Sequence, residues 1–263
     1  MTRTIAIANH KGGVGKTATA FNVGSILANK GYNVLLVDLD AQSNLTASLI
    51  DEEPDVTIYD ALRNNTPLPV HNVRERLDLV PSSLNLAGVE IELNNRLQRE
   101  SVLKRLLKPL TARYDFVVID CAPALGLLTI NALTASTDVI IPLTCEIYPL
   151  KGLKMLTDII DEVRDALNPE LNLMGIALTK YDRRRVLTRD VESAITDAFG
   201  DTVFKTRIRN NVDIAESPDA LQDVTTYNPR STGAVDYTAL TDEVVERCNL
   251  KKNGSKANAD QKK

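Results

Sequence analysis

Lys11-Gly12-Gly13-Val14-Gly15-Lys16-Thr17 is the stretch of this chain whose residue types and spacing can do chemistry. Glycines let the backbone turn tightly, so successive amides can point at phosphate oxygens. The apolar run Thr4–Asn9 precedes the loop and reads as a strand, and a helical pattern opens at Thr17 and Ala18. That helix start adds unpaired N–H donors and a partial positive charge. Lys16 is placed to reach the β- and γ-phosphates of a nucleotide, and Thr17 to offer its hydroxyl to Mg²⁺. A GGxGK[ST] pattern arises by chance in roughly one chain in a thousand of this length, so an accidental glycine turn explains it poorly. The commoner phosphate loop has Gly six residues before Lys16, where this chain has His10, and a second lysine, Lys11, opens the loop instead.

Acids stand where further strands end. Asn33–Asp38 is followed by Leu39 and Asp40, and Phe116–Ile119 runs directly into Asp120. Four apolar residues and then an acid form a Walker B pattern, with Asp120 holding Mg²⁺ or its water. A carboxylate at a strand end can also position water or take its proton, worth ~10²–10⁴ in rate. Asp38 reads as a strand-end cap without chemistry, and Cys121 as a small apolar filler. Thr179 lies in Leu178–Asp182, at a strand end where nucleotide folds often grip the base.

These residues need a frame, and the sequence alternates short β-branched runs with longer amphipathic ones. Thr4–Asn9, Asn33–Asp38, Leu77–Val80, Phe116–Asp120, Val139–Pro142 and Leu173–Leu178 read as buried strands. Thr17–Lys30, Ser101–Leu110, Leu127–Ala135, Leu150–Leu167, Leu187–Phe199 and Ala234–Leu250 read as helices. Such alternation predicts an α/β fold: a doubly wound, mostly parallel sheet with helices on both faces. Its strand ends converge on the ligand crevice. Residues 1–250 are expected to form one domain, and the polar, lysine-rich residues 251–263 a disordered tail.

Composition narrows the class. With 43% hydrophobic and 25% charged residues the chain is neither wholly disordered nor a membrane bundle. Its net charge is −4, and the +4 of residues 251–263 leaves −8 for the body. An acidic body excludes a constitutive nucleic-acid binder and leaves only a local patch. Cys121, Cys145 and Cys248 form no CxxC pair, which points away from zinc and disulfides and towards a reducing cytoplasm.

The loop KGGVGKT resembles that of the ParA/MinD-type deviant-Walker ATPases. Val37–Gln42 resembles their DxDxQ motif, Cys121–Gly126 their γ-phosphate-sensing switch, and Ile208–Val212 with Ala215–Pro218 their IPRNV…EAP segment. The resemblance implies ATP and Mg²⁺ as cofactors and phosphate contacts from Lys11 through Ala18. It implies a homodimer formed on ATP, in which Lys11 reaches the partner's phosphates. Asp40 orients the attacking water in this reading, and Arg209 and Asn210 join Thr179 at the adenine.

Branches of the family separate by what they require. A MinD-like membrane helix needs apolar residues that 251–263 lack. The iron-protein and scaffold branches need cluster cysteines, the tyrosine-kinase branch a terminal tyrosine cluster, and the large plasmid branch an extra N-terminal domain. A small ParA-type partition ATPase without a membrane partner remains. This implies nonspecific double-stranded DNA, a ParB-type centromere-binding partner that stimulates hydrolysis, and a cytoplasmic, nucleoid-associated location. Arg183, Arg184, Arg185, Arg189 and Arg207 are the candidate DNA contacts. The departure IRNNVD, where the family reads IPRNVR, removes one basic position and adds Asp213. An alternative is an ATP switch that positions or regulates non-DNA cargo, and a third reading is a metabolic ATPase or ligase of similar fold.

Overall fold

The computed structural model describes residues 2–146 and 149–260. Its first unit is β1 (Arg3–Ile7), α1 (Lys16–Asn29) and β2 (Val34–Leu39), then the short α2 (Asn44–Ala47) and α3 (Ile58–Asn64). Next come β3 (His71–Arg74), β4 (Leu77–Val80), α4 (Val89–Leu93), α5 (Val102–Leu107), β5 (Phe116–Cys121) and α6 (Leu127–Ala135). The chain continues through β6 (Asp138–Thr144), α7 (Pro149–Ala166), β7 (Asn172–Tyr181), α8 (Val186–Phe199) and β8 (Val203–Arg209). It closes with α9 (Asp213–Glu216), α10 (Val224–Tyr227) and α11 (Thr232–Asp260).

The strands form one sheet in the order β3-β4-β2-β5-β1-β6-β7-β8. Among the described residues only the β3–β4 pair is antiparallel. The doubly wound, mostly parallel α/β expectation therefore holds. From β1 the chain crosses to β2 on one side, and from β5 it crosses past β1 to β6 on the other. The winding reverses beside β1, where such sheets bind ligands at their carboxyl ends.

Alternation along each strand supplies two cores. Ala6, Val37, Ile119 and Ile141 face a layer holding Ile58, Leu103, Ala132, Leu156 and Ile195. Ile5, Ile7, Leu36 and Val118 face the other way, against Phe21 and Leu27 of α1 and Tyr237, Leu240 and Val244 of α11. The α1 helix lies very close to the sheet. A Cβ at Gly24 would stand 2.4 Å from Leu36 Cδ2, so only glycine fits there without displacement.

Two strands were not anticipated. β3 is a short edge strand, and β8 reads VFKTRIR, an alternation of apolar and cationic residues rather than a buried run. α11 covers the unpaired edge of β8. The amides of Lys205 and Thr206 donate to Glu243 at 2.8 and 2.7 Å, and that of Arg209 donates to Asp236 at 2.9 Å. Helix α11 continues to Asp260, past the boundary at residue 250 expected for the folded part, with no proline to stop it after Thr232. Residues 261–263 of the expected tail lie outside the described residues. No helix among the described residues is long and apolar enough to cross a membrane.

Candidate active site

The loop between β1 and α1 curls over the carboxyl end of the sheet. Gly13 and Gly15 have φ of +73° and +88°, a backbone state that side chains rarely adopt. The curl is braced from neighbouring strands. Asn9 Nδ2 donates to the Pro142 carbonyl at 2.7 Å, and its Oδ1 accepts the Lys11 amide at 3.0 Å. Thr179 Oγ1 donates to the Val14 carbonyl at 2.7 Å. Thr179 thus supports the loop from β7.

Lys16 is 6% exposed, and its Nζ donates to the Lys11 carbonyl at 3.1 Å. Burial lowers its pKa, and the charges of Asp120, Cys121 and Asp40 oppose that shift. Asp120 is 1% exposed, and its carboxylate has no hydrogen-bonding neighbour but the Thr17 hydroxyl among the described residues. Its pKa stands well above the usual carboxylate value because of burial and the charge of Asp38, while the Thr17 hydroxyl and the Lys16 ammonium pull it down. A buried carboxylate so sparsely hydrogen-bonded is costly. One beside a threonine hydroxyl fits Mg²⁺, which takes one or two protein ligands together with phosphates and water.

Asp38 and Asp120 are register partners on β2 and β5. Asp38 accepts the Thr46 amide at 2.9 Å, the Thr46 hydroxyl at 2.7 Å and the Asp40 amide at 3.1 Å. Burial outweighs these bonds and lifts its pKa to about 6. Read from sequence as a cap, Asp38 is therefore also part of the charge balance around Asp120. Asp40 is half-buried, with Oδ1 accepting the Gln42 amide at 3.0 Å. Its carbonyl accepts the Ser82 hydroxyl at 2.7 Å.

Lys11 is exposed at the rim, and its Nζ pairs with Glu146, just past β6. The Lys11 ammonium, with the Thr144 hydroxyl, holds the Glu146 carboxyl below its ordinary value. Glu146 went unnoticed in the sequence, where only its place directly after a strand end could have flagged it.

Comparison with known proteins gives the family. The family model described as an AAA domain matches residues 2–173. Sporulation initiation inhibitor protein Soj of Bacillus subtilis (strain 168) is 44% identical, over 93% of this chain and 99% of its own length. Chromosome partitioning protein ParA of Myxococcus xanthus (strain DK1622) is 42% identical, over 93% of this chain and 88% of its own length. The chain belongs to the ParA-type ATPase family. Among solved structures, one described as cobyrinic acid a,c-diamide synthase from Mycobacterium smegmatis, with bound ADP and magnesium, is 36% identical. It superposes with a TM-score of 0.83 over 95% of this chain and 96% of that one.

Within this ParA-type frame the outer candidate residues are placed less simply. A cavity of about 670 Å³ opens beside Thr17 and Ala18 and is lined by Phe21, Ile214, Ala215 and Pro218. A second, of about 480 Å³, is lined by Tyr181, Arg183, Arg184, Arg207, Arg209 and Asn210, among others. Arg209 is held by Asp236 through contacts of 2.9 and 2.7 Å, and the Asn210 amide donates to the Tyr181 carbonyl at 3.4 Å. The candidate DNA arginines are also partly committed. Arg184 forks onto Asp182 with two contacts of 2.9 Å, and Arg207 Nε donates to Glu192 at 2.7 Å. Arg185 stands 3.8 Å from Asp182. Arg183 and Arg189 are exposed and form no ion pair among the described residues. None of these carboxylate partners was marked by sequence spacing except Asp182, which sits beside the arginine run.

Proposed function

We propose that this protein is a partition ATPase that binds ATP and Mg²⁺, pairs with a second copy, and holds DNA without sequence preference until hydrolysis releases it. The arrangement of two lysines carries this reading. Lys16 is buried in the loop beside Asp120, while Lys11 stands exposed on the same loop with an exposed glutamate as its partner. An exposed pair of this kind is worth ~0–1 kcal/mol, so Lys11 is available to a second molecule's phosphates at little cost. A cation supplied across an interface resembles an arginine finger, worth roughly 10³–10⁵ in rate.

ATP and Mg²⁺ are the cofactors of this site. The loop amides and Lys16 bind the phosphates, and Thr17 and Asp120 hold the cation. Mg²⁺ neutralises phosphate charge when bound. Asp40 orients water, and the buried surroundings of Lys16 exclude bulk solvent from the phosphates. Thr179 braces the loop in the structure, and base contact falls to it, Arg209 and Asn210 as a proposal. The cytoplasm and the nucleoid are the proposed location, and a ParB-type protein the proposed activator. The higher identity to Soj and ParA, 44% and 42% against 36% for the synthase, supports partition over amide synthesis.

DNA retention measured with ATP across salt concentrations tests the reading. Each lost phosphate contact should reduce the log–log salt slope by ~0.9. Arg183→Ala and Arg189→Ala are expected to lower it, and Lys16→Ala to abolish ATP-dependent retention. The alternative, an ATP switch acting on non-DNA cargo, is favoured by one observation: Arg184 and Arg207 already bond carboxylates of this chain. No retention with ATP at low salt, alongside normal ATP turnover, would establish that alternative.

A further inference from the structure

One side chain reaches the segment after Asp120 from an element outside the nucleotide cradle. Glu90 lies on α4, and its Oε1 accepts the Leu128 amide at 2.9 Å, in the first turn of α6. The same carboxylate occupies the space beside Gly126, where a Cβ would stand 2.5 Å from Oε1. Gly126 is the N-cap of α6 and provides no side-chain cap of its own. Helix starts are usually capped by Ser, Thr, Asp or Asn at that position. Here a carboxylate 38 residues earlier in the chain than its donor satisfies the amide and faces the positive end of the helix dipole.

The stretch that carries Glu90 also touches the other acidic loop. Ser82 Oγ donates to the Asp40 carbonyl at 2.7 Å, and the Ser82 amide donates to Thr46 Oγ1 at 2.9 Å. Thr46 in turn donates to Asp38. Leu86 and Val89, both fully buried, anchor the stretch between these ends. Residues 82–93 therefore strap the Asp38–Asp40 loop to the end of the Cys121–Gly126 segment. A local cap would hold α6 wherever the strap lay, whereas a remote one makes the start of α6 depend on the strap's position.

We propose that Glu90 is a positioning residue for ATP hydrolysis: through Leu128 and Gly126 it fixes where the Cys121–Gly126 segment ends, and through the strap it keeps that segment in register with Asp40. The proposal rests on the assignment of Asp40 and Asp120 to the hydrolytic site. Gly126 offers an independent way to break the contact. Its φ of −90° suits alanine, and the atoms that a methyl meets are the end of a flexible side chain. Gly126→Ala thus displaces the Glu90 carboxylate while leaving the backbone in place.

The experiment measures steady-state ATP hydrolysis and thermal unfolding for Glu90→Ala, Gly126→Ala, the double variant and Glu90→Gln. Each alanine variant is expected to lower kcat about tenfold with KM for ATP changed less than about twofold, because the contact acts on the reacting geometry and not on nucleotide binding. The double variant should be no slower than the slower single, since both remove one contact. Glu90→Gln keeps an acceptor oxygen at the same reach and should recover most of the rate. Wild-type kcat in both alanine variants, additive losses in the double variant, or a rise in KM at constant kcat would each overturn the proposal. A fall in melting temperature alone would make Glu90 a structural cap. Lys16→Ala and Asp120→Ala separate the two levels: if they keep turnover, the site assignment fails, and if only they lose it, the role of Glu90 fails. Should Glu90→Ala not fold, Gly126→Ala and Glu90→Gln carry the same test.

Discussion

Replacing Asp120 with asparagine should stabilise the nucleotide-free protein while removing its response to Mg–ATP. Asp120 has only the Thr17 hydroxyl as a hydrogen-bonding neighbour, and across the strands it faces a second buried carboxylate, Asp38. The folded-state pKa of Asp38 is raised from 3.8 to about 6 by burial. A carboxyl raised in this way withdraws stability as pH rises from about 4 to about 6, because the folded state must surrender a proton it holds more tightly than the unfolded chain does. Asp120 is shifted in the same direction, so its contribution is also present at low pH and lost as pH rises. An amide at position 120 removes one of the two charges and can donate to Asp38. We expect Asp120→Asn to unfold about 1–3 kcal/mol later than wild type at about pH 7.5 without nucleotide. That is roughly 2–6 °C in Tm, and the gap should narrow towards pH 4. Urea titrations followed by circular dichroism at both pH values would measure it. With Mg–ATP at about 100 times its Kd, wild type should gain about 2.7 kcal/mol and the variant much less, so the gap between them should close. A nucleotide-free variant no more stable than wild type at about pH 7.5 would refute the idea that two buried carboxylates oppose folding at this site.

Other expectations follow from single contacts. Lys16→Ala should abolish measurable nucleotide binding by calorimetry, since it removes the buried ammonium that faces Asp120 beneath the loop. Lys11→Ala should keep ATP binding but lose ATP-dependent association in light scattering, and an intact ATP dimer would remove the crossing role of Lys11. Gly24→Ala should cost about 1–3 kcal/mol in urea unfolding by forcing α1 away from Leu36, without changing the nucleotide loop's chemistry.

The parts of the molecule that could be read from sequence are those built from short-range rules. The phosphate loop needs glycine at positive φ, and a buried parallel strand needs an unbroken apolar run, so the loop, β1, β2 and β5 were all legible. β8 was not, because it lies at an edge and alternates cations with apolar residues. Asp38 was legible as a cap, and its Thr46 and Asp40 bonds bear that out, but its pressure on Asp120 depends on strand register. The arginines were legible as a basic patch only while their partners were unknown. Asp236 and Glu192 approach Arg209 and Arg207 from helices elsewhere in the chain, and no spacing in the sequence announces such pairs.

The covering of β8 by Asp236 and Glu243 bears on how copies of this protein can assemble. An open edge strand invites another chain to add itself by backbone pairing, the route to fibres and swapped sheets. Here the amides that would receive an incoming strand already donate to carboxylates of α11. Sheet extension at this edge is closed off by side chains that a newcomer cannot displace without breaking these amide–carboxylate bonds. Association by backbone pairing is thereby steered away from the β8 edge.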